Sequence, residues 1–325
     1  IIAFVLTLLL LFNADSFGQN VPFHRLGYPF KAQTNITMVW NAPKNDLPRK
    51  VWTYRALPAK VSSDVISNLV ALGGFTQKDQ EKIPGYPRLI AYNDPARKRS
   101  LRVNTDWAFI DYSDPDEEDW HNTNGVPSRS QAIEIARRWL PRLRINPHQL
   151  AQNTNNTDIK FYGGPGIIYF YPREAGPAYE TNTYMQNVTF MRALDGIEIS
   201  GGCARGGCLI GIGHNATVSK IMVSWRNYKR NKSYRVASPE TLLKQIREGK
   251  TVWRPAPDKP NIDWQSVKKI TITKATPLYY TDAWGEDDNP PNAAYPFMEL
   301  EANADTGTEN VTFYMDCPIM DETKP

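Results

Sequence analysis

The sequence has few residues of the kinds that build metal or nucleophilic centres. Its 325 residues include three Cys and four His. The histidines, none of which is followed by Glu, are His24, His121, His148 and His214. The helix of a zinc peptidase, with two imidazoles one turn apart and a carboxylate between them, is therefore absent. The chain also lacks a Gly-x-Ser-x-Gly elbow and a Gly-rich phosphate loop. We expect a protein that is not an enzyme and holds no metal or cofactor.

A strong excess of one charge is also lacking. The 38 Lys and Arg residues nearly balance the 34 Asp and Glu residues, which gives a formal charge of +4 at pH 7. A dedicated nucleic-acid binder carries a clearer basic excess, so we expect no nucleic-acid partner. Hydrophobic residues make up 41% of the chain, which is sufficient for packed cores and excludes a disordered chain.

Only one apolar run is long enough to concern a membrane. It spans residues 1–12 and has the length of the hydrophobic part of a signal peptide rather than that of a bilayer span. Ser16 and Gly18 place small residues at the positions that signal peptidase recognises, which predicts cleavage before Gln19. We expect a secreted, periplasmic or cell-envelope protein. It would meet a membrane only through this segment, if the segment stayed uncleaved as an anchor.

The cysteines fit an exported protein. Cys203 and Cys208 lie at the ends of two extended runs joined by a Gly-rich turn. A hairpin with a four-residue loop would place them opposite each other, which predicts a cross-strand disulfide. Cys317 is then left over, either as a buried thiol or as an alternative partner for one of the other two.

Three segments, 62–74, 128–143 and 238–249, carry apolar residues at helical spacing. Each begins with a Ser that can cap a helix, and Ser128 to Gln131 also has the form of a capping box. Gly residues end the first and third segments. Pro141 is expected to kink or end the second.

The other regular segments have the Val, Ile, Tyr, Phe and Thr enrichment of strands. Residues 88–92 and 100–110, for example, flank a basic tip at 94–98 and predict a hairpin. Strands at such short separations pair antiparallel, because a parallel neighbour needs a long crossover. Each apolar helix stripe then needs a sheet face to cover. The pattern predicts an α+β fold in which antiparallel sheets are each covered by one or two helices.

The same pattern suggests a division of the chain. We expect a signal peptide at 1–18, an extended Pro-rich arm at 19–50, an N-terminal α+β module at 51–120 and a second α+β module at 121–325.

One basic stretch with interleaved aromatic residues is the best candidate for a binding patch. The candidate binding residues are Trp225, Arg226, Tyr228, Arg230 and Tyr234, and Lys229, Lys232 and Arg235 add to the positive charge. Such a patch suits an anionic glycan, phospholipid head groups or an acidic protein.

Two acidic clusters support an alternative. Residues 114–119 lie beside Trp120, and residues 282–288 surround Trp284. Paired carboxylates next to a tryptophan could form a glycosidase subsite or a glycan platform. The spacing fits no EF-hand calcium loop. Solvated surface loops are the simpler interpretation, because both clusters lie among Pro, Asn and Gly.

Residues 183–253 contain an extended segment, an Asp195-Gly196-Ile197 turn, short strands around Ile210 and Ile212, and the strand that ends at Trp225. This order resembles PepSY-like exported domains, including the propeptide domains of fungalysin and thermolysin peptidases and the YycI/YycH-type regulators. The resemblance extends over residues 128–315, with 128–143 and 238–246 in the place of the bordering helices. It implies a non-catalytic scaffold that binds, inhibits or chaperones a peptidase, or that holds a sensor protein in one state.

We therefore expect an exported, non-catalytic module that binds an unidentified protein partner at or outside the cell envelope. The alternative is a secreted protein that binds or hydrolyses glycans through the acidic loops beside Trp120 and Trp284.

Overall fold

The computed structural model describes residues 27–44, 47–58, 60–115, 124–152, 161–162, 165–170, 180–200, 206–256, 262–281 and 293–320. The predicted signal peptide at 1–18 lies outside them. Within the described residues, no helix is long and apolar enough to cross a membrane.

The three predicted helices are confirmed. They are α1 (Ser63–Gly73), α2 (Arg129–Arg142) and α3 (Pro239–Glu248). In α2, the Ser128 side chain accepts a hydrogen bond from the Gln131 backbone and completes the predicted capping box. The helix ends one residue after Pro141. Gly249 ends α3 with a φ of 77°, a left-handed conformation that favours glycine.

Strands dominate the rest of the described chain. They are β1 (Tyr28–Phe30), β2 (Thr37–Trp40), β3 (Lys50–Ala56), β4 (Gln80–Glu81), β5 (Leu89–Asp94), β6 (Arg99–Asn104), β7 (Phe109–Ser113), β8 (Phe161–Tyr162), β9 (Pro165–Phe170), β10 (Glu180–Met191), β11 (Ala193–Leu194), β12 (Ile197–Glu198), β13 (Gly207–Ile212), β14 (Val218–Ser224), β15 (Tyr228–Arg235), β16 (Thr251–Pro255), β17 (Lys269–Thr281), β18 (Ala293–Asp305) and β19 (Asn310–Pro318). The hairpin predicted around 94–98 is formed by β5 and β6, but its second strand stops at Asn104 and a turn leads into β7.

Two large sheets organise these strands. A nine-stranded sheet has the order β4-β5-β6-β7-β14-β13-β10-β8, with β9 also paired to β10. An eight-stranded sheet has the order β1-β16-β19-β18-β17-β2, while β3 pairs with both β18 and β15. Neighbouring strands run antiparallel in both sheets, for example β5 with β6 and β18 with β19, whereas β17 and β2 are parallel.

The chain divides into two compact units. One comprises the described parts of 1–53, 231–278 and 295–325, and the other comprises those of 54–230 and 279–294. The second unit contains a hydrophobic core in which Leu69 of α1, Leu101 of β6 and Ile210 of β13 are fully buried. In the first unit, β1 and β2 lie within the range predicted as an extended arm, and both are strands of the eight-stranded sheet.

The predicted α+β class, with each sheet covered by one or two helices, is wrong. The described residues form a largely β fold, in which the longest of three helices has 14 residues. A helix is about 10 Å wide and strands lie about 4.8 Å apart, so one helix covers roughly two strands. Three short helices therefore leave most of two sheets of eight and nine strands uncovered.

The predicted disulfide between Cys203 and Cys208 is not formed in the structure. Cys208 and Cys317 are both buried, reduced thiols, and Cys203 lies outside the described residues. Cys208 lies in β13, directly between Phe190 of β10 and Val223 of β14. The segment before the Gly-rich turn pairs elsewhere, because β12 forms a hairpin with β11. The two runs are therefore not partners in the hairpin that the sequence suggested.

Candidate functional site

The predicted binding stretch begins where β14 ends and leads into β15, and its first residues are held to the rest of the same unit. Arg226 is buried, and its Nε donates a hydrogen bond to the Leu57 carbonyl at 3.1 Å. The Leu57 backbone N–H in turn donates to the Asn227 carbonyl at 2.8 Å. These bonds fix the backbone immediately before β15.

A buried arginine from another part of the chain organises the aromatic residues of this stretch. Arg192 follows β10, and only 1% of its surface is exposed. Its guanidinium carbon lies 4.8 Å from the ring centroid of Trp225 and 5.3 Å from that of Tyr228. The guanidinium also donates to the Arg226 carbonyl and to the Gln149 side chain. We name these five residues, Arg192, Gln149, Trp225, Arg226 and Tyr228, the Arg192 cluster.

Burial controls the titration of the Arg192 cluster. It lowers the pKa of Arg192 to about 10, and it also lowers the pKa of Arg226. Burial raises the pKa of Tyr228, although the two guanidinium groups partly oppose that shift. At neutral pH, Arg192 therefore remains a cation. It is stabilised by aromatic faces and a carbonyl oxygen, which suits a structural anchor.

A second group of three residues surrounds Arg230, the first exposed arginine of β15. Asp195 forms a two-point ion pair with Arg230, in which Nε lies 2.9 Å from Oδ2 and the terminal nitrogen lies 2.6 Å from Oδ1. The hydroxyl of the buried Tyr54 donates to the same carboxylate. We name Tyr54, Asp195 and Arg230 the Asp195 cluster.

The pKa shifts of the Asp195 cluster follow from these contacts. Burial alone would raise the pKa of Asp195, but the hydrogen bonds from Arg230 and Tyr54 lower it on balance. The bond to Asp195 raises the pKa of Arg230, and burial together with that carboxylate raises the pKa of Tyr54. All three groups thus keep their ordinary charge states at neutral pH.

The remaining length of β15 is basic and exposed. Lys229, Lys232 and Arg235 are exposed, and Tyr234 is half-buried. The structure gives no ion pair between these three cations and any described residue. Within the described part of the chain, β15 pairs with β3 alone. We name the exposed side chains of Lys229, Arg230, Lys232 and Arg235, with the adjoining open backbone edge, the β15 edge.

The candidate binding residues therefore fall into two groups. The rings of Trp225 and Tyr228 face Arg192, and Arg226 contacts Arg192 through its backbone carbonyl. Arg230 is exposed, and Tyr234 is half-buried. Sequence reasoning missed Arg192, which lies 33 residues before Trp225. The signal that could have found it is a lone arginine between apolar residues, since Phe190, Met191, Ala193 and Leu194 are all buried.

The acidic clusters are described only in part. Asp114 is buried, and its Oδ2 lies 2.5 Å from Nε of Arg99, so this carboxylate belongs to an internal ion pair. The remaining acidic residues of the first cluster, all of the second, and both Trp120 and Trp284 lie outside the described residues. Among those that are described, no group of three or more His, Cys, Asp and Glu side chains is arranged to hold a metal.

The comparisons with known proteins show a likeness of fold. No family model matches the chain, and no curated protein matches its sequence. A crystal structure of an uncharacterized protein from Eubacterium rectale ATCC 33656 is similar, with a TM-score of 0.50 and 10% sequence identity. The match covers 89% of each chain. At this identity the likeness concerns the fold alone, and the resemblance to PepSY-like domains stays a prediction.

Proposed function

We propose that this chain is an exported, non-catalytic module that binds an extended, acidic segment of a partner protein along the β15 edge. The observation that carries the proposal is the β15 edge itself. The strand is exposed and carries four cations, and among the described residues it pairs with another strand, β3, on one side only. Export rests on the N-terminal sequence. The role agrees with the one that the PepSY-like resemblance implies.

The open edge favours a polypeptide over other anionic partners. An added strand satisfies the backbone donors and acceptors of an edge strand, which lipid head groups cannot do in register. The charged side chains then select the partner. A second copy of β15 would place cations against cations, and Lys on an edge strand opposes that pairing. Acidic residues of a different protein meet no such repulsion.

The Arg192 cluster supports this use of β15 from within. Because Arg192 stacks on Trp225 and Tyr228, these rings hold the beginning of the strand and are not the leading contact residues. The strand is therefore fixed before a partner arrives. A fixed strand loses less conformational entropy when it binds.

The test uses a defined probe. A labelled ten-residue peptide that alternates Glu and Val is titrated with the purified mature chain, and fluorescence anisotropy measures binding at two salt concentrations. A peptide that alternates Lys and Val serves as the charge-reversed probe. We expect binding of the acidic peptide alone, weaker at higher salt.

A matched pair of triple variants locates the site. Lys229→Gln, Lys232→Gln and Arg235→Gln together should weaken binding about tenfold. Three exposed ion pairs at roughly 0.5 kcal/mol each sum to about 1.5 kcal/mol, and about 1.4 kcal/mol corresponds to a factor of ten. The control variant removes three exposed lysines elsewhere, Lys60, Lys78 and Lys82, by the same change to Gln. Equal weakening by the two triple variants, or binding of the basic peptide, would refute the proposal.

A further inference from the structure

Asp195 lies at the tip of the hairpin formed by β11 and β12. Its φ is 51° and that of Gly196 is 80°, as expected for the two central residues of a tight Asp-Gly turn. The turn presents the Asp195 side chain away from the hairpin strands and toward β15. Its carboxylate is therefore placed by the backbone of a separate element.

The contact between Asp195 and Arg230 has the geometry by which an arginine recognises a carboxylate. Both oxygens of Asp195 are engaged, one by Nε and the other by a terminal nitrogen. The Arg230 side chain is nevertheless 56% exposed and that of Asp195 is 33% exposed, so solvent reaches the pair. Of the ion pairs formed within the described residues, the pair between Asp195 and Arg230 is the one that includes a cation of the β15 edge.

We propose that Asp195 is an internal substitute for the partner's carboxylate, and that an acidic partner displaces it from Arg230. This inference rests on the proposed function and specifies how the β15 edge is regulated. One carboxylate replaces another on the same guanidinium, so the charge at Arg230 is unchanged by the exchange.

When an internal competitor occupies the site, the apparent affinity for the peptide equals the intrinsic affinity multiplied by the fraction of molecules in which the site is open. Since exposed ion pairs are weak, the closed form is favoured only modestly. We expect removal of the competitor to strengthen binding of the Glu-Val peptide about fivefold.

The decisive variant is Asp195→Asn. Asparagine tolerates a positive φ as aspartate does, so the turn is preserved while the charge is removed. Glu198→Gln is the matched control, because it removes the same charge from the same hairpin, three residues away. The Asp195→Asn chain should bind about fivefold more tightly than the wild type, and the Glu198→Gln chain less than twofold more tightly. Circular dichroism and urea unfolding verify that both variants fold.

Tyr54→Phe provides a second variant that leaves every charge in place. It removes the hydroxyl that holds Asp195. If the internal contact competes, this variant should also bind the peptide more tightly than the wild type, by a smaller factor than Asp195→Asn.

The outcomes separate the two proposals. If the wild type binds the peptide but Asp195→Asn binds no better than Glu198→Gln, the internal competitor is refuted and the binding function stands. If both bind, and Asp195→Asn binds about fivefold more tightly than the wild type while Glu198→Gln does not, both proposals are supported. If neither binds, the proposed function fails, and the inference fails with it.

Discussion

The buried carboxyl of Asp316 gives the structure a pH dependence that can be measured. Asp316 lies in β19, directly opposite Glu299 of β18, and only 2% of its surface is exposed. Nε of Arg254 lies 3.6 Å from Oδ2, while the same guanidinium also pairs with Glu299. The other oxygen, Oδ1, is buried and accepts no hydrogen bond from the described residues. One arginine thus serves two carboxylates.

Burial raises the pKa of Asp316 to about 7; Glu299 adds to the shift, while Arg254 opposes it. The folded state therefore binds this proton more tightly than the unfolded state, whose Asp has a pKa of about 3.9. The contribution of Asp316 to the free energy of unfolding is therefore fully present below the pKa of the unfolded state. It is lost as the pH rises through the pKa of the folded state. Between pH 5 and pH 8 the loss is about 2.6 kcal/mol, which follows from the difference in proton binding between the folded state and the unfolded state.

The variant Asp316→Asn should remove this dependence, because the amide resembles the protonated carboxyl and does not titrate. We expect the free energy of unfolding of Asp316→Asn, relative to the wild type, to increase by about 2.6 kcal/mol from pH 5 to pH 8. Urea unfolding at several pH values gives this difference. Asp111→Asn, which makes the same substitution at a half-buried position of β7, is the control for the effect of the Asp-to-Asn change itself. A relative change below about 0.5 kcal/mol for Asp316→Asn would refute the argument.

Three further changes test the anchors and helix ends by urea unfolding. Arg192→Lys should destabilise the chain by about 2 kcal/mol, because an ammonium cannot stack on Trp225 and Tyr228 while also donating a fork of hydrogen bonds. An unchanged urea midpoint would contradict the structural role of Arg192. Ser128→Ala should cost about 1 kcal/mol through loss of the α2 cap. Gly249→Ala should cost about 1 kcal/mol, since a left-handed φ is unfavourable for a residue with a Cβ, and a neutral result would oppose the left-handed end of α3.

The helix ends were the most predictable part of the fold, because their signals are local. Ser128 and Gln131 cap α2 as their spacing requires, and Gly249 ends α3. The break between β6 and β7 was missed because the predicted strand at 100–110 was continued through three consecutive polar residues, 104–106. Asn104 is the signal that was available, since its side chain accepts hydrogen bonds from the backbone of Asp106 and Trp107 and so forms the turn.

The candidate site was less predictable, because its contacts join distant parts of the chain. The basic character of 226–235 is visible in the sequence, but the pattern along one strand cannot show that Trp225 and Tyr228 stack on Arg192. Nor could it show that Asp195 pairs with Arg230, 35 residues later. The predicted fold class was wrong for a related reason. Local patterns in the sequence show how many helices and strands to expect, but not how many strands each helix can cover.

The two buried thiols give the protein an internal pair of reporters. Cys208 belongs to one compact unit and Cys317 to the other. Burial raises the pKa of the Cys317 thiol, and the neighbouring Asp316 carboxyl raises it further, so this sulfur is shielded and poorly nucleophilic while its strand stays paired. Alkylation of each thiol, followed by peptide mass spectrometry, would therefore measure the opening rate of each unit separately, without an introduced cysteine.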